Sequence, residues 1–313
     1  MNIPATLFCL LMLLQGASDW SVHKTENFHV YYKPGSETLL QNILPHLESE
    51  LQSISGRLDS APSRPIKLVL APDPRSFMEM QGGNISPYVS GMAYPSRYTI
   101  IVRPLRGREI RHSSTSGVIS HEIAHIVLHH KMGDASPPKW VDEGVAVFMG
   151  SESFWSRSER LMPIALTGKH IPFKSLEHGF PRSVDGAATA YAQAGSFVGF
   201  LHNEYGEGAF LDFLDRLANG EEMENALEAS FGFPLAELEK KWLHEIKKSY
   251  WIIAVFSGGG LLWFLISLLF IFAYIKKKRQ KRERRRLLAA EDAGYVSLSD
   301  EEGPADDDEF YYH

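Results

Sequence analysis

The chain has 313 residues, 44% of them apolar, which is enough to bury a core and excludes a chain disordered throughout. Its single cysteine, Cys9, excludes an internal disulfide framework. The formal net charge of -6 conceals an asymmetry, since the run Lys276 to Arg286 is almost wholly basic and the residues from Glu291 onward are acidic, so the average says little about partners.

At the start, "ATLFCLLMLL" has the length of a signal-peptide core and is too short to span a bilayer. "GAS" (Gly16 to Ser18) supplies small residues for cleavage, and residues 1–18 are expected to be a signal peptide, although no Lys or Arg precedes the apolar core. "NFHVYY" from Asn27 then predicts a strand. Leu39, Leu40, Ile43, Leu47 and Leu51 recur at helical spacing and predict a helix from about Ser36 to Leu58. "IKLVLAP" predicts a second strand, "PDPRSFMEM" a short helix, "QGGNISPYVSG" a loop and "RYTIIVRPL" a third strand.

"SSTSGVISHEIAHIVLHH" opens with hydroxyl residues that can cap a helix and continues with apolar positions between its histidines. "PPKWVDEGVAVFMG" has the prolines and the glycine that bracket a short helix. Four more helices are expected in "AATAYAQAGSFVGFLHNEYG", "EGAFLDFLDRLANG", "EEMENALEASFG" and "PLAELEKKWLHEIKKSYW". Strands first and helices afterwards predict an α+β fold.

Residues 252–274 carry no charged side chain over a length that crosses a bilayer, predicting a single transmembrane helix. The basic run follows at once, so the positive-inside rule puts the C-terminus in the cytoplasm and residues 19–249 outside it. Beside the membrane, that run reads as a topology anchor on anionic lipid and not as a nucleic-acid site. The tail, residues 275–313, is expected to be disordered and solvated, with no partner identified.

The chemistry is concentrated in "HEIAH". On a helix His121 and His125 lie one turn and about 40° apart, so both imidazoles can reach one ion. Glu122 points beside them and can accept a proton from a water activated there. HExxH arises by chance in roughly one chain in a hundred of this length, so a third ligand is needed to give it meaning. His129 is about 12 Å along the axis from His121, too far to share an ion, and with His130 is expected on the surface or behind the site. Glu143, 18 positions after His125, is the candidate, preferred over its neighbour Asp142, which projects elsewhere. Two histidines and a glutamate leave a fourth position open, the arrangement of a catalytic zinc. Gly144 and Ala146 are expected to let the second helix approach the first.

"HEIAH", "PPKWVDEGVAVF", "AYAQAGSFVGFL" and "ENALEASFGFPLAELEKKW" together resemble the gluzincin superfamily of zinc metallopeptidases, and within it bacterial peptidase-MA-like domains, over roughly residues 25–249. The resemblance implies a zincin-like fold with a small N-terminal mixed sheet, an active-site helix, a C-terminal helical subdomain and a sheet edge that pairs with extended peptide. It implies one Zn2+ per chain on His121, His125 and Glu143, with Glu122 as general base. Some gluzincins orient a histidine through a carboxylate four residues after the glutamate ligand; here that position is Val147, and Asp134 and Asp142 both remain candidates.

By the same resemblance Tyr191 would donate to the oxyanion, with a core aromatic as its alternative role and His202 as a second donor. The strand "SRYTIIVRP" is a candidate for substrate pairing. The expectation is thus a membrane-anchored zinc metallopeptidase acting on peptides or proteins. The alternatives are a zincin-like scaffold without proteolysis and a cell-wall amide hydrolase.

Overall fold

The computed structural model describes residues 19–83, 89–105, 114–150, 154–256 and 260–299. The expected signal segment 1–18, part of the expected loop at 84–88 and the acidic end at 300–313 lie outside the described residues. The chain divides into two compact units, Met1–Lys248 and Ser249–His313.

The first unit is mixed α+β. Strands β1 (Ser21–Lys24), β2 (Phe28–Tyr32), β3 (Ile66–Leu70), β4 (Gly91–Tyr94) and β5 (Thr99–Val102) form one sheet in the order β1-β2-β3-β5-β4. The central pairs β2/β3 and β3/β5 are parallel, while β1 and β4 pair antiparallel at the two edges. The three expected strands are the central ones. Both edges escaped the sequence reading because each has four residues and neither has the β-branched alternation of a strand buried on one face. "SRYTIIVRP" therefore supplies an inner strand whose two sides are already paired, and the expectation that it binds substrate is corrected: on that side of the sheet the outer strand is β4.

Helix α1 (Glu37–Leu58) buries Leu40, Ile43, Leu47 and Leu51 of the expected stripe and extends it through Ile54 and Leu58, while Leu39 is only half-buried. After the short α2 (Pro74–Met80) comes α3 (Thr115–Met132), which starts where Ser114 accepts a hydrogen bond from the Gly117 amide at 2.9 Å. Ile119, Ile123, Ala124, Ile126, Val127 and Leu128 are all buried, so α3 is apolar on more than one face and lies inside the unit.

Helix α4 (Lys139–Met149) follows the proline pair and seats Trp140, fully buried, among Phe173, Phe197 and Phe213 at ring distances of 5.4, 5.3 and 6.4 Å. Removing that ring would cost about 3–5 kcal/mol. Helix α5 (Phe154–Thr167) was not expected; Pro163 lies within it. The first two of the four expected helices run as α6 (Val184–Ala218), interrupted at Gly206, where φ 86° and ψ 164° are open only to glycine. Helices α7 (Met223–Phe231) and α8 (Leu235–Phe256) complete the series. Gly144 meets α6, not α3 as expected: a Cβ there would lie 2.7 Å from Val198 and 2.8 Å from the Ala194 carbonyl.

In the second unit α9 (Gly260–Ser299) begins with exposed apolar side chains from Trp263 to Ile275 and continues through the basic run. The tail expected to be disordered is helical as far as Ser299, as its Lys, Arg, Glu, Leu and Ala content favours. Among the described residues no helix is long and apolar enough to cross a membrane. The stretch expected to span, 252–274, includes residues 257–259, which lie outside the described residues.

Candidate metal centre

Helices α3 and α4 bring three side chains to one point. His121 Nε2 and His125 Nε2 are 3.3 Å apart, and Glu143 Oε2 lies 3.6 Å from the first and 3.5 Å from the second. A tetrahedral ion with bonds of about 2.0–2.1 Å sets its donors about 3.3–3.4 Å apart, so this triangle has the size zinc requires. The donor set, two imidazoles and a carboxylate, is that of a zinc site with one position left open. His121, His125 and Glu143 form one of two groups among the described residues whose donors are close enough to hold an ion; the other is His125, His129 and Asp142.

The second group explains the first. Asp142 Oδ1 is 2.7 Å from His125 Nδ1 and 3.3 Å from His129 Nε2, so Asp142 orients the histidine and Glu143 faces the triangle. Of the two candidates for that task Asp134 is exposed in the loop after α3. Val147 is part of the core. Sequence spacing placed His129 behind the site, where it shares Asp142 with His125; His130 instead meets the Tyr98 hydroxyl at 2.6 Å.

Lys139 was missed. Its Nζ lies 2.7 Å from Glu143 Oε1 and 3.2 Å from Asp142 Oδ2, reaching one helical turn along α4 to both carboxylates. The i, i+3 and i, i+4 spacing of Lys139, Asp142 and Glu143 was the available signal. The Tyr191 hydroxyl donates toward Glu143 Oε1 at 3.4 Å, so α6 brings the expected tyrosine to the site. His202 is engaged elsewhere, with its ring 5.1 Å from that of Phe148 and 5.7 Å from that of Phe210.

Glu122 is buried against β4. The Ala93 amide donates to its carboxylate, and a Cβ on Gly91 would lie 2.8 Å from its Oε1. Burial lifts the Glu122 carboxyl above the usual carboxylate range, with the neighbouring His121 and His125 acting against it.

The other charges are fixed by their partners in the metal-free chain. Burial disfavours the charged form of His125, but Asp142 and Glu143 together hold its pKa well above the ordinary value. Burial works against the Asp142 carboxylate too, and hydrogen bonds from His125 and His129 with the Lys139 charge bring its pKa far down. Glu143, also buried, is held well below the usual range by His121, His125 and Lys139. At 3.6 and 3.5 Å the contacts of the two imidazoles with Glu143 are longer than an ordinary hydrogen bond.

The sequence model of the Peptidase MA superfamily matches residues 53–248, a span that holds α3, α4 and the triangle. No curated protein matches the chain. Among solved structures, native yeast LTA4 hydrolase is 14% identical with a TM-score of 0.44, the match covering 72% of this chain and 39% of that one. The M1 zinc metallopeptidase from Deinococcus radiodurans is 16% identical with a TM-score of 0.42, covering 73% of this chain and 51% of that one. The chain thus spans 39% and 51% of the lengths of these two structures. With more than half of its residues matched, this chain belongs to the Peptidase MA superfamily.

Proposed function

We propose that the chain is a zinc metallopeptidase of the gluzincin type, in which His121, His125 and Glu143 hold one zinc ion and Glu122 is the general base. The observation that carries this reading is the triangle of Nε2, Nε2 and Oε2 atoms with edges of 3.3, 3.5 and 3.6 Å, together with a second carboxylate, Glu122, buried beside it. Bound there, zinc supplies Lewis acidity toward a carbonyl and toward water.

The residues divide the remaining work. Asp142 holds the Nδ1 proton of His125, which leaves its Nε2 lone pair toward the ion. Glu122 takes a proton from the attacking water and passes it to the leaving amine, a role that its raised pKa favours at neutral pH. Tyr191 turns its hydroxyl from Glu143 to the developing oxyanion. The outer strand β4, Gly91–Tyr94, lies against Glu122 and lines the place where an extended peptide would set its scissile bond.

The proposal extends to location. Residues 252–274 lack charge, the apolar side chains of α9 from Trp263 to Ile275 are exposed, and the basic run follows them. These features support a single span with the peptidase unit, residues 19–249, outside the cytoplasm and residues 275–313 within it.

Glu122→Gln in the full-length chain tests the mechanism. Peptide hydrolysis should fall about 10²–10⁴-fold while zinc stoichiometry stays at the parent's level. Undiminished hydrolysis would remove Glu122 from the mechanism, and a parent that binds no zinc would favour a scaffold without proteolysis.

A further inference from the structure

The two oxygens of Glu143 have different surroundings. Oε2 faces His121 and His125, while Oε1 is held by Lys139 Nζ at 2.7 Å and approached by the Tyr191 hydroxyl at 3.4 Å. The lysine contact has the length of a charge-assisted hydrogen bond, and the tyrosine contact is at the outer limit of a hydrogen bond. Lys139 also lies 3.2 Å from Asp142 Oδ2, whose other oxygen takes His125. One ammonium therefore holds the outward oxygens of both carboxylates that shape the triangle.

A carboxylate whose oxygens are both free can bind an ion through one of them or through both. A second Glu143 bond would fill the position that a catalytic site keeps open. Resting on the zinc reading above, we propose that Lys139 is a positioning residue that keeps Glu143 a one-oxygen ligand: by holding Oε1 it reserves a coordination position for substrate. It also separates two tasks. Because the Lys139 contact with Oε1 is the shorter and charge-assisted one, the phenol at 3.4 Å can turn to substrate and leave Oε1 held.

Cobalt(II) in place of zinc gives a readout independent of hydrolysis, since its visible absorption weakens when a fourfold site becomes fivefold. The full-length chain, Lys139→Met and Lys139→Arg would each be loaded with cobalt and their helical content checked by circular dichroism. The lysine side chain is 41% exposed, so its replacement leaves the core untouched. The expected result is a loss of visible intensity in the methionine variant and a parent-like spectrum in the arginine variant, which restores a donor to Oε1.

Superimposable spectra for the parent and the methionine variant would overturn the role of Lys139 while leaving the zinc site standing. A purely structural ion pair would give that result and change only the melting temperature. A parent chain that takes up neither cobalt nor zinc would overturn the metal reading, and this proposal with it.

Discussion

Asp142 Oδ1 and His125 Nδ1 are 2.7 Å apart, and this contact decides which nitrogen of His125 is available. An ionised carboxylate only accepts, so Nδ1 carries a proton, and Nε2, turned toward His121 and Glu143, is the nitrogen left to bind an ion once it gives up its own. In Asp142→Asn a single oxygen must serve His125, His129 and Lys139, and an amide turned toward Nδ1 would favour the wrong tautomer. Zinc affinity should fall about 10–100-fold, read by competition with a chromophoric chelator. Parent-like affinity would show that the orientation of His125 does not depend on Asp142.

Zinc loading should release a proton. Asp142 and Glu143 hold the pKa of His125 well above its ordinary value in the metal-free chain despite burial, so at neutral pH the ring is charged and must lose a proton to bind. The same shift sets the stability of the metal-free chain. A raised histidine pKa contributes stability that is full below about pH 6.5 and is lost as pH rises through the raised value. The depressed pKa values of Asp142 and Glu143 contribute stability present above about pH 4 and lost as pH falls through them. Titration calorimetry in buffers of different ionisation enthalpy measures the released proton directly, and a value near zero would mean that His125 is already neutral.

The parts of this site legible in the sequence are those that one helix fixes by itself. His121, Glu122 and His125 follow from a single period, and Ser114 marks where that period starts. Glu143 could be reached by counting the residues needed to turn back, because α4 is short and bracketed by proline and glycine. What depends on how two elements cross was not legible. The assignment of Asp142 over Asp134 and the contact of Gly144 with α6 in place of α3 are set by packing angles that spacing does not contain. Strand β4 was lost for a different reason. "GMAY" has neither length nor alternation, and its place at the sheet edge comes from pairing with β5 and from the close approach that Gly91 permits.

That approach makes Gly91 a sensitive position. A Cβ there would lie 2.6 Å from Val118 Cγ1 and 2.8 Å from Glu122 Oε1, so either β4 or the carboxylate must move. Gly91→Ala should cost about 1–3 kcal/mol by overpacking. Displacement of Glu122, the proposed general base, should lower kcat/KM by up to about 10²-fold. Zinc content should not change, because Gly91 touches none of the three donors. Chemical denaturation, a peptide assay and metal analysis on one preparation would check all three, and unaltered kcat/KM would mean that the site absorbs the methyl group without moving Glu122.

Tyr191 offers the sharpest separation of chemistry from packing. Its ring lies 5.0 Å from that of Phe180, and its hydroxyl reaches Glu143 Oε1 at 3.4 Å. Burial first, and then the negative charge of Glu143, push the phenol pKa well above its ordinary value, so the hydroxyl keeps its proton and remains a donor at any pH at which the chain would work. Tyr191→Phe preserves the ring and removes only the donor. If the phenol serves the oxyanion, kcat should fall about 10²–10³-fold with KM nearly constant. Zinc stoichiometry should equal the parent's, since Lys139 still holds Oε1. A loss of zinc would assign the hydroxyl to the metal ligand, and an unchanged kcat would return Tyr191 to the packing of α6.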